Sequence, residues 1–520
     1  MSAVLDLLVV ATACTHVLLA PYTKVEESFN LHATHDVLMY GIGTDSLLEY
    51  DHFVFSGAVP RSFIGSILLA WLSMPVITVA QSFGIVKSKF DLQIIVRLVL
   101  ASFNALIICL IRRVVSRRFG HPTAFAFALL TCMQFHLPFW MGRTLPNMFA
   151  LAPVNFVSYL LLNCEKSTVR LHQHKLGAAI ALLTFTAVVL RAEVTLLLGP
   201  IALQALWNRQ ITFVRLVKLG VFSGLGSIAL TVLVDSYVWN RWPLWPELAG
   251  IYFNVFQGKS ADWGVSPFHA YFTSHLPKIL LGAGPLALIG FALDHRIRTL
   301  LGPAVMFVAL ISALGHKEWR FVVYVVPLFN VAAARGAHWL IGRPKGRIIG
   351  RLAFVTVAGL FGLTTMATIL HTRASMANYP GGAALAQLND GFSNVQHVHV
   401  HIANLAAQSG ASLFLQNHAP PFYPIPSSHN LAAGWVYNKT EHVTAAALTS
   451  DRRITHVLAE DRVPFVSSGQ WVVLGAIQAF KGWEVQRDVR GLVRQRGVRG
   501  ILDVLAMRTE EVLWILERAT

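Results

Sequence analysis

Twelve apolar runs recur along this sequence, at 2–20, 62–83, 92–111, 124–141, 149–162, 176–190, 194–206, 214–234, 276–293, 300–314, 322–341 and 352–370. Their lengths gather around the roughly 17–25 residues that a helix needs to cross a bilayer. The chain is therefore expected to be an all-α polytopic membrane protein with about 11–13 transmembrane segments. Composition points the same way, with 55% of residues hydrophobic and 13% charged, against about 25% charged in soluble domains.

The net charge of +16 invites a nucleic-acid partner, but the basic residues sit in short loops between apolar runs, so the expected partner is the lipid bilayer and not nucleic acid. Lys and Arg in excess mark cytoplasmic loops, and residues 209–218, 295–298 and 343–351 carry that excess. Alternate crossings then put the stretch around His316, the loop 236–274 and the tail after Arg373 on the other side. One conflict stands: residues 112–118 are strongly basic, yet counting from a cytoplasmic start places them outside. An early segment that breaks or re-enters would resolve it, with Pro75 and Pro138 as the expected break points. The first run has no basic stretch ahead of it and leads into an acidic segment, so a retained span is expected and not a cleaved leader. The four cysteines lie in or beside apolar runs and form no zinc or disulfide spacing.

Past Arg373 hydropathy falls to soluble values and short alternating runs appear at 398–402, 412–415, 454–458 and 471–474. The expected organisation is a membrane region over 1–374, with non-cytoplasmic loops at about 21–60 and 236–274, and a small α/β domain over 375–520. That tail holds the sole Asn-x-Ser/Thr acceptor, Asn438-Lys439-Thr440. His397, His399 and His401 alternate on one face of a strand, which is the pattern of a metal site or of a surface strand in a His-rich chain; the surface strand is the expectation.

Between the runs ending at 314 and starting at 322 lies Gly315-His316-Lys317-Glu318-Trp319-Arg320-Phe321. An unpaired charge costs about 2.5–3.5 kcal/mol inside a bilayer, so ionisable residues there mark functional sites. A Lys/Arg/Trp interfacial anchor is the alternative, but an anchor has no use for His316 and Glu318. Directly after the first run comes Pro21-Tyr22-Thr23-Lys24-Val25-Glu26-Glu27-Ser28-Phe29-Asn30, then Thr34-His35-Asp36. Neighbouring carboxylates raise at least one pKa, which suits a general base that takes a proton from a hydroxyl; a solvated acidic loop is the alternative. Three further sets are Arg143-Thr144-Leu145-Pro146-Asn147, Arg191-Ala192-Glu193, and Lys259 ahead of Trp263-Gly264-Val265-Ser266-Pro267. Arg suits planar oxyanions, but Arg191 and Glu193 are expected to be a structural pair, since buried charges find partners.

These motifs, with Ala33-Thr34-His35-Asp36 and Asn378-Tyr379-Pro380-Gly381-Gly382, resemble glycosyltransferase family 22 along essentially the whole chain. The His-Lys-Glu-x-Arg-Phe element carries the family likeness. The Thr-Lys-Val-Glu-Glu-Ser-Phe-Asn form of the first loop is similar to members that add an α-1,6-linked mannose to a heptamannosyl oligosaccharide on dolichyl diphosphate. The resemblance implies a GT-C fold in the endoplasmic reticulum membrane, a luminal active site, and dolichyl phosphate mannose as donor, with inversion in a single displacement. It implies Glu26 or Glu27 as base, His316, Lys317, Arg320 and Arg61 on the donor phosphate, and Glu318, Lys259, Trp263, Ser266, Arg143, Asn147, His35 and Asp36 around the substrates. No metal or other cofactor is expected, because fixed cations can neutralise a leaving monophosphate. A glycolipid-anchor (GPI) mannosyltransferase is the alternative within the family, and a lipid or solute transporter the alternative outside it.

Overall fold

A computed structural model describes residues 2–164, 172–423, 434–486, 491, 494, 497 and 505–519. Contacts divide the chain into two units. One gathers residues 1–18, 29–73 and 96–369; the other gathers 19–28, 74–95 and 370–520.

The first unit is helical. Among the described residues, seven helices of the chain are long and apolar enough to cross a membrane, and an eighth span is a pair bent by 105°, Tyr271–Leu280 with Ala283–Leu293. The expected eleven to thirteen crossings also counted shorter apolar helices: His121–Met133, Pro146–Leu162 and Ala192–Trp207. The run at 124–141 breaks at Gln134, not at Pro138, and resumes as a short helix His136–Met141. Apolar surroundings leave no water for the freed carbonyls, so side chains must reach them. Asn104 donates to Met141 O at 3.0 Å and Arg97 Nε to Gly142 O at 2.9 Å. Gln134 and Asn330 exchange amide hydrogen bonds at 2.9 and 2.8 Å.

The helix Ser2–Leu19 (α1) runs antiparallel to Lys89–Phe119, which follows Val25–Tyr40 (α2) and Ile64–Ser82 (α3) and is labelled α4. Cys14 lies beside Ser102, while Asp6 near the start of α1 accepts from Arg112 Nε at 2.7 Å and Arg113 Nε at 2.9 Å near the end of α4. The basic residues 112–118 therefore lie at the same end of the bundle as the start of α1. The chain between α1 and α4 begins and ends at one end of this helix pair, so the simple alternation that put residues 112–118 on the far side does not hold. Pro75, expected as a break, lies inside a continuous α3. Helices Ala283–Leu293 and Val326–Ile341 pack backbone to backbone: a Cβ on Gly290 would meet Ala332 O at 2.0 Å, and one on Gly336 would meet Leu286 O at 2.2 Å. Small residues are what allow membrane helices to approach this closely.

The second unit holds a five-stranded sheet in the order β2-β1-β3-β5-β4, with β1 at His399–Ile402, β2 at Val436–Asn438, β3 at His456–Ala459, β4 at Trp471–Val485 and β5 at Leu505–Arg518. β1 is parallel to β2 and β3, and β5 is antiparallel to β3 and β4. The helix Pro380–Gly391 buries Leu385 and Leu388 in one cluster with Val400, Ile402, Leu458 and Ile515. The expected surface strand is thus an interior one, with Val400, His401 and Ile402 buried, because β1 is paired on both edges. No three His, Cys, Asp or Glu among the described residues are placed to hold a metal. Residues 412–415, read as an alternating run, form a 3-10 turn at Leu413–Leu415.

Candidate active site

Within the first unit, three arginines and three glutamates converge. The helix Gln173–Phe185 widens into a π-turn over Thr186–Leu190, and Arg191 leaves it in extended conformation before a 3-10 turn over Ala192–Val194. That reversal lets Arg191 Nε reach both carboxylate oxygens of Glu193, at 2.8 and 3.0 Å. Glu193 Oε1 also accepts from Asn147 at 2.8 Å and from Tyr324 OH at 3.1 Å, and Asn147 donates to Tyr324 OH at 2.9 Å. Glu247, at the start of a short helix Pro246–Ile251, accepts the Ala192 N–H at 2.7 Å.

Burial pushes the Glu247 carboxyl up to about 7, with Glu193 adding to the shift and Arg191 opposing it. Burial also works against the charge on Arg191, but Glu193 and Glu247 overcome it and raise its pKa. Arg61 is held down to about 10 by desolvation and by the like charges of Arg191 and Arg320, and it keeps its proton at neutral pH. The site is a desolvated cationic cluster whose balance turns on Glu247.

Arg320 closes the cluster. Its Nη2 donates to Glu318 at 2.7 Å, and Glu318 also faces His316 Nε2 at 3.2 Å. The Phe321 ring lies 5.8 Å from the Arg191 guanidinium and 6.0 Å from that of Arg320. The segment 314–317 is laced to the Trp263–Pro267 motif: Ser266 N donates to Gly315 O, and Lys317 Nζ donates to Ser266 O at 3.0 Å and to Leu314 O at 2.5 Å. Lys317 is only 8% exposed, so its ammonium holds two backbone segments together. Lys259 pairs with Asp262 in an exposed turn, and Trp263 is 67% exposed.

The remaining predicted residues of this unit are buried. Asp36 faces His35 Nδ1 at 2.9 Å and accepts the Asp51 N–H at 2.9 Å, fixing α2 to the loop that follows. Arg143 lies over the Phe139 ring at 4.1 Å.

Glu26 and Glu27 belong to the second unit. Glu27 is 3% exposed, and its Oε1 accepts the Lys24 N–H at 3.1 Å across the first turn of α2. Glu26 is exposed. Their loop meets the Asn378–Gly382 motif: Lys24 Nζ donates to Asn378 at 3.4 Å and lies 5.4 Å from the Tyr379 ring. A Cβ on Gly382 would sit 2.4 Å from the Tyr22 ring, which explains the glycine.

Reading the sequence missed Glu247 and Tyr324. The signal for Glu247 was a carboxylate at a helix start in the loop 236–274. Tyr324 carried none, since it lies inside an apolar run.

Comparison with known proteins shows the family and the fold. The sequence profile of the Alg9-like mannosyltransferase family matches residues 5–416. A Drosophila melanogaster protein named Dol-P-Man:Man(7)GlcNAc(2)-PP-Dol alpha-1,6-mannosyltransferase is 37% identical over 461 residues, which are 88% of this chain and 63% of that protein. The Arabidopsis thaliana protein of the same name is 35% identical over 88% of this chain and 86% of its own length. In fold, the chain is similar to the crystal structure of ArnT from Cupriavidus metallidurans bound to undecaprenyl phosphate, with a TM-score of 0.54 at 12% identity, covering 91% of this chain and 96% of that one.

Proposed function

The chain belongs to the Alg9-like mannosyltransferase family, and from that membership we propose that it transfers mannose from dolichyl phosphate mannose, in α-1,6 linkage, to the heptamannosyl oligosaccharide on dolichyl diphosphate. The names of its relatives favour this acceptor over that of a glycolipid anchor. The work is done in the endoplasmic reticulum membrane with the site facing the lumen, the side opposite the basic loops.

The observation that carries the reading is the convergence of Arg61, Arg191 and Arg320 in desolvated surroundings. These cations, with His316, take the donor phosphate. Glu26 takes the proton from the acceptor 6-hydroxyl; that oxygen attacks C1 of the mannose, the C1–O bond to phosphate breaks, and dolichyl phosphate leaves with the electron pair. The β-linked donor becomes an α-linked product. Glu26 is preferred to Glu27 because the Glu27 carboxylate is taken up in closing the first turn of α2. Preorganised charge at the leaving group is the largest contribution, with each donor worth about 2.7–4 kcal/mol. The proposed step calls on no metal or other cofactor, since guanidiniums neutralise the leaving monophosphate. Lys317 ties its segment to Ser266 and Asn147 orients Glu193, while the exposed Lys259 and Trp263 are left to meet the substrates.

Dolichyl phosphate binding to the purified protein tests this. Arg320→Gln is expected to weaken binding about a hundredfold while the protein stays folded. Equal binding by wild type and Arg320→Gln contradicts the assignment of the cluster to phosphate.

A further inference from the structure

The second unit carries a cavity of about 160 Å³ that the reaction above does not use. Its walls include Lys89 at the start of α4, Asp390 near the end of the helix Pro380–Gly391, and Asn417, His418, Phe422 and Tyr423. Buried polar side-chain atoms nearly always have a hydrogen-bond partner. Two here do not: His418 Nδ1, on a side chain only 6% exposed, and Asn417 Oδ1 lack one among the described residues.

We propose that this cavity binds a neutral hexose unit, a mannosyl residue of the oligosaccharide acceptor other than the one that reacts. The inference rests on the mannosyltransferase reading for its ligand and on the cavity alone for its chemistry. The wall carries two lysines, of which Lys87 is exposed. The Lys89 ammonium is already committed to Ala419 O at 2.8 Å and Pro421 O at 3.2 Å. Asp390 adds a carboxylate to the wall. Burial, opposed by a hydrogen bond with the Asn389 backbone and by Asp390 and aided by the charge of Lys89, lowers the pKa of His418. What the cavity offers is acceptors, the unpaired Asn417 Oδ1 and the exposed Asp390 carboxylate, for sugar hydroxyls to donate to. Phe422 and Tyr423 supply aromatic faces for the apolar side of a pyranose ring.

The cavity is also tied to the first polar loop. Tyr22 stacks on Phe90, next to Lys89, with ring centres 5.2 Å apart. Burial raises the Tyr22 pKa, and the Asp390 charge raises it further. The loop that carries Glu26 and the wall of the cavity thus share a packed neighbourhood within this unit.

The test uses the full-length protein in detergent with two variants, Asp390→Ala at an exposed position and Asn417→Leu at a half-buried one. Saturation-transfer NMR with methyl α-mannopyranoside should show binding in wild type, resistant to inorganic phosphate, and lost in both variants. In transfer assays both variants should raise the acceptor KM about tenfold, the effect of losing one or two hydrogen bonds, with donor KM and kcat unchanged. Mannoside binding that persists in the folded Asp390→Ala protein, or that phosphate displaces, overturns the proposal. Loss of mannoside binding in the variants of a protein that fails to use the heptamannosyl acceptor keeps the cavity as a hexose site and removes the acceptor assignment instead.

Discussion

Arg191 and Glu193 form an ion pair of 2.8 and 3.0 Å although only Ala192 separates them. Side chains two apart on a helix do not face each other; these do because the chain leaves its helix at Arg191. Glu193 then gathers Asn147 and Tyr324 around one carboxylate. Removing it strands a largely buried guanidinium, and breaking a buried pair on one side costs about 3–5 kcal/mol. Glu193→Ala is expected to lower the thermal midpoint sharply and abolish transfer. Asn147→Ala, which leaves the pair intact, should cost about 1 kcal/mol. Equal midpoints for the two variants contradict the pairing.

Glu26 and Glu27 separate by their surroundings. Glu26→Gln should reduce kcat about 10²–10⁴-fold, the range for loss of a general base, without changing the melting temperature. Glu27→Gln should cost about 1 kcal/mol of stability through the weakened first turn of α2 and retain most of kcat. The reverse pattern would make Glu27 the base.

Glu247 predicts a pH dependence. Below about 7 its carboxyl is protonated and neutral, so the cluster presents more net positive charge to a phosphate; above about 7 it ionises and weakens that field. The donor KM should therefore rise about fivefold between pH 6 and 8, the scale of one partly screened charge nearby. Glu247→Gln, fixed in the neutral form, should keep the low donor KM throughout. A rise that survives in this variant belongs to another group.

The sheet makes the second unit acid-sensitive. Burial lowers the His456 pKa from about 6.5 to about 4. Its ring packs edge-on against Phe392 at 4.4 Å, and Glu517 lies 3.9 Å away. Below pH 6.5 the unfolded chain takes up a proton that the folded one refuses, so the stability this ring contributes is complete above pH 6.5 and lost as pH falls. The loss reaches about 3 kcal/mol by pH 4. Denaturant melts of wild type and His456→Phe at pH 7 and 4.5 measure it; the variant should lose less stability on acidification.

The long apolar helices and the change of character past Arg373 were legible because hydropathy acts locally. The break at Gln134 was not, because the Gln134 side chain is held by Asn330 and by Leu280 O, from segments far away in sequence. Pro75 misled because proline is tolerated within membrane helices. The His316 to Phe321 stretch declared itself by charges that lipid does not accept. Glu247 could not, since its carboxyl is raised by burial and by Glu193, more than fifty residues away in sequence, and His401 became interior only once β2 and β3 paired on either side of it.

The measurement that tests the central claim most directly is mannose transfer by purified protein from short-chain dolichyl phosphate mannose to a synthetic dolichyl-diphosphate-linked heptamannosyl oligosaccharide, with linkage read by α-mannosidase digestion. The expected product carries one added mannose in α-1,6 linkage, formed with inversion, undiminished by EDTA. A folded, donor-binding protein that leaves this acceptor unchanged, or joins mannose through another linkage, would contradict that claim.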